Sequence, residues 1–204
     1  MKDKFTKIKH SALLAALCLI LALALSIVAH FASGVDDWGV ILINFFIWLI
    51  VLIVLVLSIN HLYDKIIDRF NNCDYNYVIN HKWQAHLHFS NSISKHYIYY
   101  AIAMSYLEYG NENMFCEYIN KINHSEVEAL KYFSLIVYHA HNKEYGNLEE
   151  LKEKYRACHK QPKMQKYDAI LDILEKKNNN IEYSDEDMQI IRSIKSKVLK
   201  DLLI

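Results

Sequence analysis

The chain of 204 residues carries 23 Lys+Arg against 23 Asp+Glu, so it is formally neutral, and 53% of its residues are hydrophobic. That balance excludes a nucleic-acid binder working through a global basic field, and a disordered chain unable to bury a core. With 1 proline and 4 glycines it has too few turn residues for a β-sandwich or barrel and no clustered glycines for a phosphate loop, so the expected fold is all-α.

Residues 1–10 form a basic N-terminus with Lys2, Lys4, Lys7 and Lys9. Ser11 to Phe31 then reads SALLAALCLILALALSIVAHF, without one Asp, Glu, Lys or Arg. At the helical rise such a run is roughly 30 Å long, the thickness of a bilayer core. Val40 to Ile59, VILINFFIWLIVLIVLVLSI, is a second uncharged run of matching length. A soluble core helix keeps a polar stripe, and neither run has one. Only Ala32 to Gly39 (ASGVDDWG) lies between them. Residues 11–60 are therefore predicted to be a transmembrane helical hairpin, with spans 11–31 and 40–59.

Lysines precede the first span, Lys65 and Arg69 follow the second, and the linker has neither. The positive-inside bias predicts an integral protein of the cytoplasmic membrane with both termini, and all of 61–204, on the cytoplasmic side. Trp38 stands where an outer interfacial aromatic belongs, and Tyr63 where an inner one does. A cleaved signal peptide is the rival for the first run, but its apolar core is about 7–15 residues and needs small residues where His30 and Phe31 stand.

The polar residues of the spans are Cys18, Ser26, His30, Asn44 and Ser58. Asn44 offers an amide for a bond across a helix pair, worth about 0.6–2 kcal/mol, and leaves homo-oligomers open. Its place four residues into the span gives the plainer reading, an amide at the headgroups. No ionisable side chain of the Asp, Glu, Lys or Arg type lies at membrane depth, so a proton relay or ion pathway has no carrier.

Residues 61–74 read as a juxtamembrane helix and linker: HLYDKIIDRF continues the second span, and Asn71 to Asp74 breaks it. Residues 75–204 read as a cytoplasmic all-α domain, with helices expected over 75–90, 93–109, 112–122, 125–142, 145–158, 162–177 and 185–203. Asn, Gly and Pro mark the breaks, and Ser125 and Ser184 are predicted N-caps ahead of acidic first turns. The last helix sets Arg192, Lys195, Lys197 and Lys200 beside Ile191, Ile194, Val198 and Leu202. Such a helix either docks on the inner leaflet or caps the helical stack, the commoner outcome.

Two helix pairs are alike. In the first, Tyr99, Ile102, Ala103 and Tyr106 line one helix, Gly110 ends it, and Phe115, Ile119 and Ile122 line the next. Tyr138, Asn142 and Leu151 stand 32 residues after Tyr106, Gly110 and Ile119. Recurrence near that length announces a helical solenoid. The stretch 99–155 resembles the tetratricopeptide repeat, with Ala103 at its small-residue place. Phe115 departs from the pattern, Asn142 replaces the turn glycine, and no proline closes either unit. The resemblance implies a concave surface that binds a peptide or protein, with no chemistry of its own. The same apolar spacing builds any helix pair, so an irregular bundle stays open beside a solenoid.

Histidine is where an enzyme would be sought. His81, His86, His88 and His96 lie close together, but 75–107 contains no Asp or Glu and the chain has no HExxH. Half-buried or exposed helix histidines explain them better than a metal centre. Cys18, Cys73, Cys116 and Cys158 form no CxxC, which suits unpaired thiols in a reducing compartment. Cys158 and His159 are neighbours, and adjacent helical residues point about 100° apart, a poor nucleophile–base geometry. The tyrosines around Tyr97, Tyr99, Tyr100, Tyr106 and Tyr109 lack a basic groove, which argues against nucleic acid.

No catalytic, cofactor or metal site is assigned. The expected function is a non-enzymatic adaptor, or an accessory or assembly subunit, held at the bilayer. Its candidate partner-binding residues are Tyr99, Tyr106, Tyr109, Tyr138, His139, His141 and Tyr145. The alternatives are a small membrane immunity or stress-protection protein that acts through its spans, and a histidine-metal membrane enzyme.

Overall fold

The computed structural model describes residues 19–31, 38–88, 92–158 and 164–204. The first part of the first apolar run, the linker 32–37, the break at 89–91 and the segment 159–163, with His159, lie outside the described residues. Among the described residues the chain is all-helical. It forms two compact units, Met1–His61 and Leu62–Ile204.

In the first unit, α1 covers Leu19–Phe31 and α2 begins at Trp38 and runs unbroken to Asn71. The 34 residues of α2 give a length of about 51 Å, well beyond the ~30 Å of a bilayer core. None of its most apolar stretch is buried. Hydroxyls here bond within their own helix. Ser26 Oγ donates to the Ala22 carbonyl and Ser58 Oγ to the Val54 carbonyl, both at 2.8 Å, which satisfies them without water. Asn44 is half-buried.

The second unit starts within α2, whose Ile66 is fully buried in its core. α2 continues past the end of the uncharged run at Ile59 and ends at Asn71. There follow α3 (Tyr75–Asn80), a 3-10 turn (Lys82–Leu87), α4 (Ile93–Glu108), α5 (Glu112–Asn120) and α6 (Glu128–His141). A short 3-10 turn (Tyr145–Asn147), α7 (Leu148–Cys158), α8 (Gln165–Asn178), α9 (Asp185–Ser193) and α10 (Lys197–Leu203) complete it. α4 packs chiefly on α5, and α6 on α7, as hairpins. Ile98, Ile102, Phe115, Ile119, Phe133 and Ile173 are fully buried between the elements.

Four helices end in the same way. Cys73, Gly110, Lys143 and Asn180 have φ of 60°, 68°, 60° and 53°. After each, an amide returns to the carbonyl five residues back: Asp74 to Arg69, Asn111 to Tyr106 and Ile181 to Lys176 at 2.9 Å, and Glu144 to His139 at 2.8 Å. This is the Schellman ending, in which one left-handed residue lets the chain reverse and satisfies a terminal carbonyl. The residue in the glycine's place in the second hairpin is Lys143, one position beyond the expected Asn142.

The left-handed conformation strains any residue with a Cβ. A Cβ at Gly110 would meet nothing within 4 Å, so only backbone strain opposes it. Gly110→Ala is expected to cost about 1 kcal/mol and Lys143→Gly to add a similar amount. Chemical denaturation of both variants checks the opposed signs.

The boundaries depart from expectation in three places. The helix expected over 75–90 stops at Asn80. His81 has φ −106° and ψ 17°, stacks on Tyr77 at 3.8 Å, and brings Nδ1 within 2.8 Å of the Tyr77 carbonyl, and the chain tightens into the 3-10 turn. Ser125 is not an N-cap; α6 starts after Val127, which has no side-chain cap bond. His124 organises this turn instead, its Nδ1 accepting from the Glu126 amide at 3.2 Å.

The last helix, expected over 185–203, is two. Ile194 is extended and Ser196 caps α10, because Glu108 of α4 takes the second N-terminus for itself. Its carboxylate accepts from Ser196 Oγ, from the Lys197 amide at 3.1 Å and from the Val198 amide at 3.3 Å. Val198, Leu202 and Leu203 are buried, and α10 packs on α6, α8 and α4.

Ser184 does cap α9, in a reciprocal box with Asp187. Lys176 Nζ reaches Asp187 Oδ2 at 2.6 Å. That bond, then those from the Ser184 amide and hydroxyl, push the Asp187 carboxyl down to about 2 from an ordinary 3.8. A depressed carboxylate stabilises the fold above its unfolded pKa, and the contribution is lost as pH falls through the folded one. The stability gap between the parent protein and Asp187→Asn is therefore expected to close between about pH 4 and pH 2, as thermal melts across that range would record.

Candidate functional site

The candidate tyrosines fall into two clusters. Tyr99 and Tyr106 sit on α4, and Tyr118 of α5 joins them, its ring 6.0 Å from Tyr99 and 5.9 Å from Tyr106. Tyr106 is buried and Tyr99 half-buried. Lysines cover the ladder. Lys82 Nζ donates to the Tyr106 hydroxyl at 3.0 Å, and Lys121 Nζ lies 4.2 Å from the centre of the Tyr118 ring. The Tyr106 hydroxyl holds the Lys82 ammonium above its usual pKa, and burial raises the Tyr118 phenol. Lys82, which also lies 5.7 Å from the centre of the Tyr106 ring, fastens the 3-10 turn to α4, while Lys121 covers Tyr118 from the end of their own helix. Tyr118 was not among the predicted residues, and its spacing of three from Phe115 is the signal that it shares the packed side of α5.

The second cluster joins the hairpins. Tyr138 of α6 stacks on Phe115 of α5 at 4.9 Å, and its hydroxyl donates to Glu112 Oε2 at 3.0 Å. Burial first, then the Glu112 carboxylate, push that phenol up to about 12. His139 Nδ1 lies 2.8 Å from Glu144 Oε2. Through Glu112 the turn between α4 and α5 is held beside the last turns of α6. At this end Tyr109 is 60% exposed and Tyr145 54%, and His141 is exposed. Tyr109, His141 and Tyr145 therefore offer surface, while Tyr99, Tyr106 and Tyr138 are largely spent on packing.

A cavity of about 410 Å³ lies elsewhere in the second unit. Phe70, Tyr75, Tyr100, Met104, Phe133, Tyr167 and Leu199 form its apolar wall, with Glu108, Lys166 and Lys195 among its polar groups. The size is that of small-molecule sites. Burial raises the Tyr100 phenol well above its ordinary pKa, and Tyr167 beside it adds to the rise. Tyr75 is raised likewise by burial and by its bond to Cys73. These phenols stay neutral donors at any physiological pH. The lining comes from α2, α3, α4, α6, α8, α9 and α10 and the loop before α10, so no local pattern announces it.

The histidines are dispersed. His81 stacks on Tyr77, the His88 ring is 5.9 Å from Tyr63, His86 is exposed, and His96 pairs with His124 at 5.6 Å. Burial lowers His88. Among the described residues no group of three or more His, Cys, Asp or Glu is arranged to hold a metal ion. Cys73, Cys116 and Cys158 are free thiols. Burial, then Glu128, raise the Cys158 thiol, which works against nucleophilic use.

No protein-family model, no curated protein and no solved structure matches the chain.

Proposed function

We propose that this chain is an integral protein of the cytoplasmic membrane, held by a hairpin of spans 11–31 and 40–59 with both ends cytoplasmic. Residues 75–204 act there as a protein-interaction module, in an adaptor or an accessory or assembly subunit. Leu42, Ile43, Phe46, Ile50 and Leu57 are each more than half exposed on α2, and a continuous surface of that kind is stable against lipid and costly in water. The lysines before the first span, with Lys65 and Arg69 after the second, support the orientation.

The four left-handed helix ends recur at intervals of about 35 residues, within the range of helical repeats. That recurrence supports a tetratricopeptide-like stack in which α4–α5 and α6–α7 are successive hairpins. The observation that carries the interaction reading is the exposed group Tyr109, His141 and Tyr145 at the shared end of those hairpins. Aromatics presented on a rigid edge are favoured contact residues.

Photocrosslinking in intact cells tests this. A photoreactive residue at position 109 and another at 145 are expected to give the same partner adduct, and one at the exposed Glu182 none. Reproducible failure at both positions, with the protein present in the membrane fraction, would falsify the interaction role. Recovery of the full chain in the soluble fraction would overturn the anchor.

A further inference from the structure

After α2 the chain turns back along it, and the contacts descend in order. Arg69 Nη1 donates to Asp74 Oδ2 at 3.0 Å. The Tyr77 ring lies 5.2 Å from the Arg69 guanidinium and 5.5 Å from Lys65 Nζ. The His88 ring then meets Tyr63 at 5.9 Å. The segment 75–88 therefore runs antiparallel to the end of α2, and the 3-10 turn Lys82–Leu87 arrives at the level of Tyr63. Tyr63 stands four residues past Ile59, where the uncharged run stops, roughly 6 Å along the helix axis.

At that level the turn buries Gln84 and Ala85 and turns Trp83, His86 and Leu87 outward. Trp83 is 50% exposed and Leu87 40%. In a 3-10 turn residues three apart eclipse, so Trp83 and His86 share an edge with Leu87 beside it. Tryptophan partitions to the layer of headgroups and upper acyl chains, where its ring is apolar and its N–H meets water or phosphate. Lys65, on the adjoining turn of α2, carries a positive charge of the kind that anionic headgroups attract.

We propose that the turn Lys82–Leu87 is an interfacial anchor, with Trp83 and Leu87 seated in the headgroup layer of a bilayer containing anionic phospholipid. This rests on the reading of α2 as a membrane span.

The test uses the full chain in vesicles of phosphatidylcholine and phosphatidylglycerol. Trp38→Phe with Trp48→Phe leaves Trp83 as the sole tryptophan, and Trp38→Phe with Trp83→Phe leaves Trp48. Lipids brominated high on the acyl chain are expected to quench Trp83 about twofold and more than lipids brominated near the chain end. Trp48, inside the apolar run, is expected to show the reverse depth preference. Trp83 unquenched by either lipid while Trp48 is quenched overturns the anchor and leaves the span standing. Neither tryptophan quenched overturns the span, and the anchor with it.

Discussion

Phe133→Ala is expected to destabilise the second unit by about 3–5 kcal/mol, the range for removing a fully enclosed aromatic ring. Phe133 has no exposed surface and meets Tyr167 edge to face at 4.7 Å. It also forms part of the cavity wall. Its neighbours already border empty space, so they have little to collapse onto, and the deleted ring enlarges the void rather than being filled. Phe133→Leu keeps most of the volume and is expected to lose less than half as much. Tyr145→Ala, at an exposed position, is expected to stay within about 0.5 kcal/mol of the parent. Chemical denaturation of the full chain in detergent, followed through the tyrosine signal, measures all three. A loss below about 1 kcal/mol for Phe133→Ala would show that the site relaxes and that the cavity is not rigidly bounded.

Glu108→Ala is expected to cost about 2–3 kcal/mol, because one carboxylate serves three donors at the start of α10. The Ser196 hydroxyl and the Lys197 and Val198 amides would all lose their acceptor at a partly buried junction. Glu108→Gln keeps one oxygen in place and is expected to recover roughly half of the loss. Amide exchange separates this effect from general loosening. Lys197 and Val198 should exchange much faster in Glu108→Ala, while amides in the middle of α9 keep their protection. Unchanged protection at Lys197 and Val198 would mean that the Glu108 carboxylate is not what shields these amides.

Those two sites also mark where the sequence stops being informative. The all-helical character, the run of α2 past the apolar stretch, the left-handed Gly110 and the Ser184 cap all follow from neighbours a few residues apart. The split between α9 and α10 does not, because its cause is Glu108, 88 residues from Ser196. Lys143 is unreadable for another reason. Nothing in a lysine announces a left-handed turn, and the conformation is imposed by the flanking helices. Tyr99, Tyr106 and Tyr138 were legible as helix-face residues, but the same periodicity describes a core and a binding surface. Only packing separates Tyr106, held by Lys82 beneath Tyr118, from the open Tyr109 three residues on. The cavity had no local signature, since Phe70, Tyr100, Phe133 and Tyr167 meet only after the helices have docked.

The Schellman endings bear on how the molecule is made. Each closes a reversal using bonds between residues no more than five apart, and α4 with α5 and α6 with α7 are joined through short turns. Contacts of such low sequence separation form quickly and need no distant part of the chain. A polypeptide leaving the ribosome can complete these hairpins one after another, from the α2 end onward. The Glu108 carboxylate must wait. Its partners are synthesised almost ninety residues later, so the α4 terminus stays hydrated until the chain is nearly complete, and the Ser196–Val198 contact is the stitch that finishes assembly.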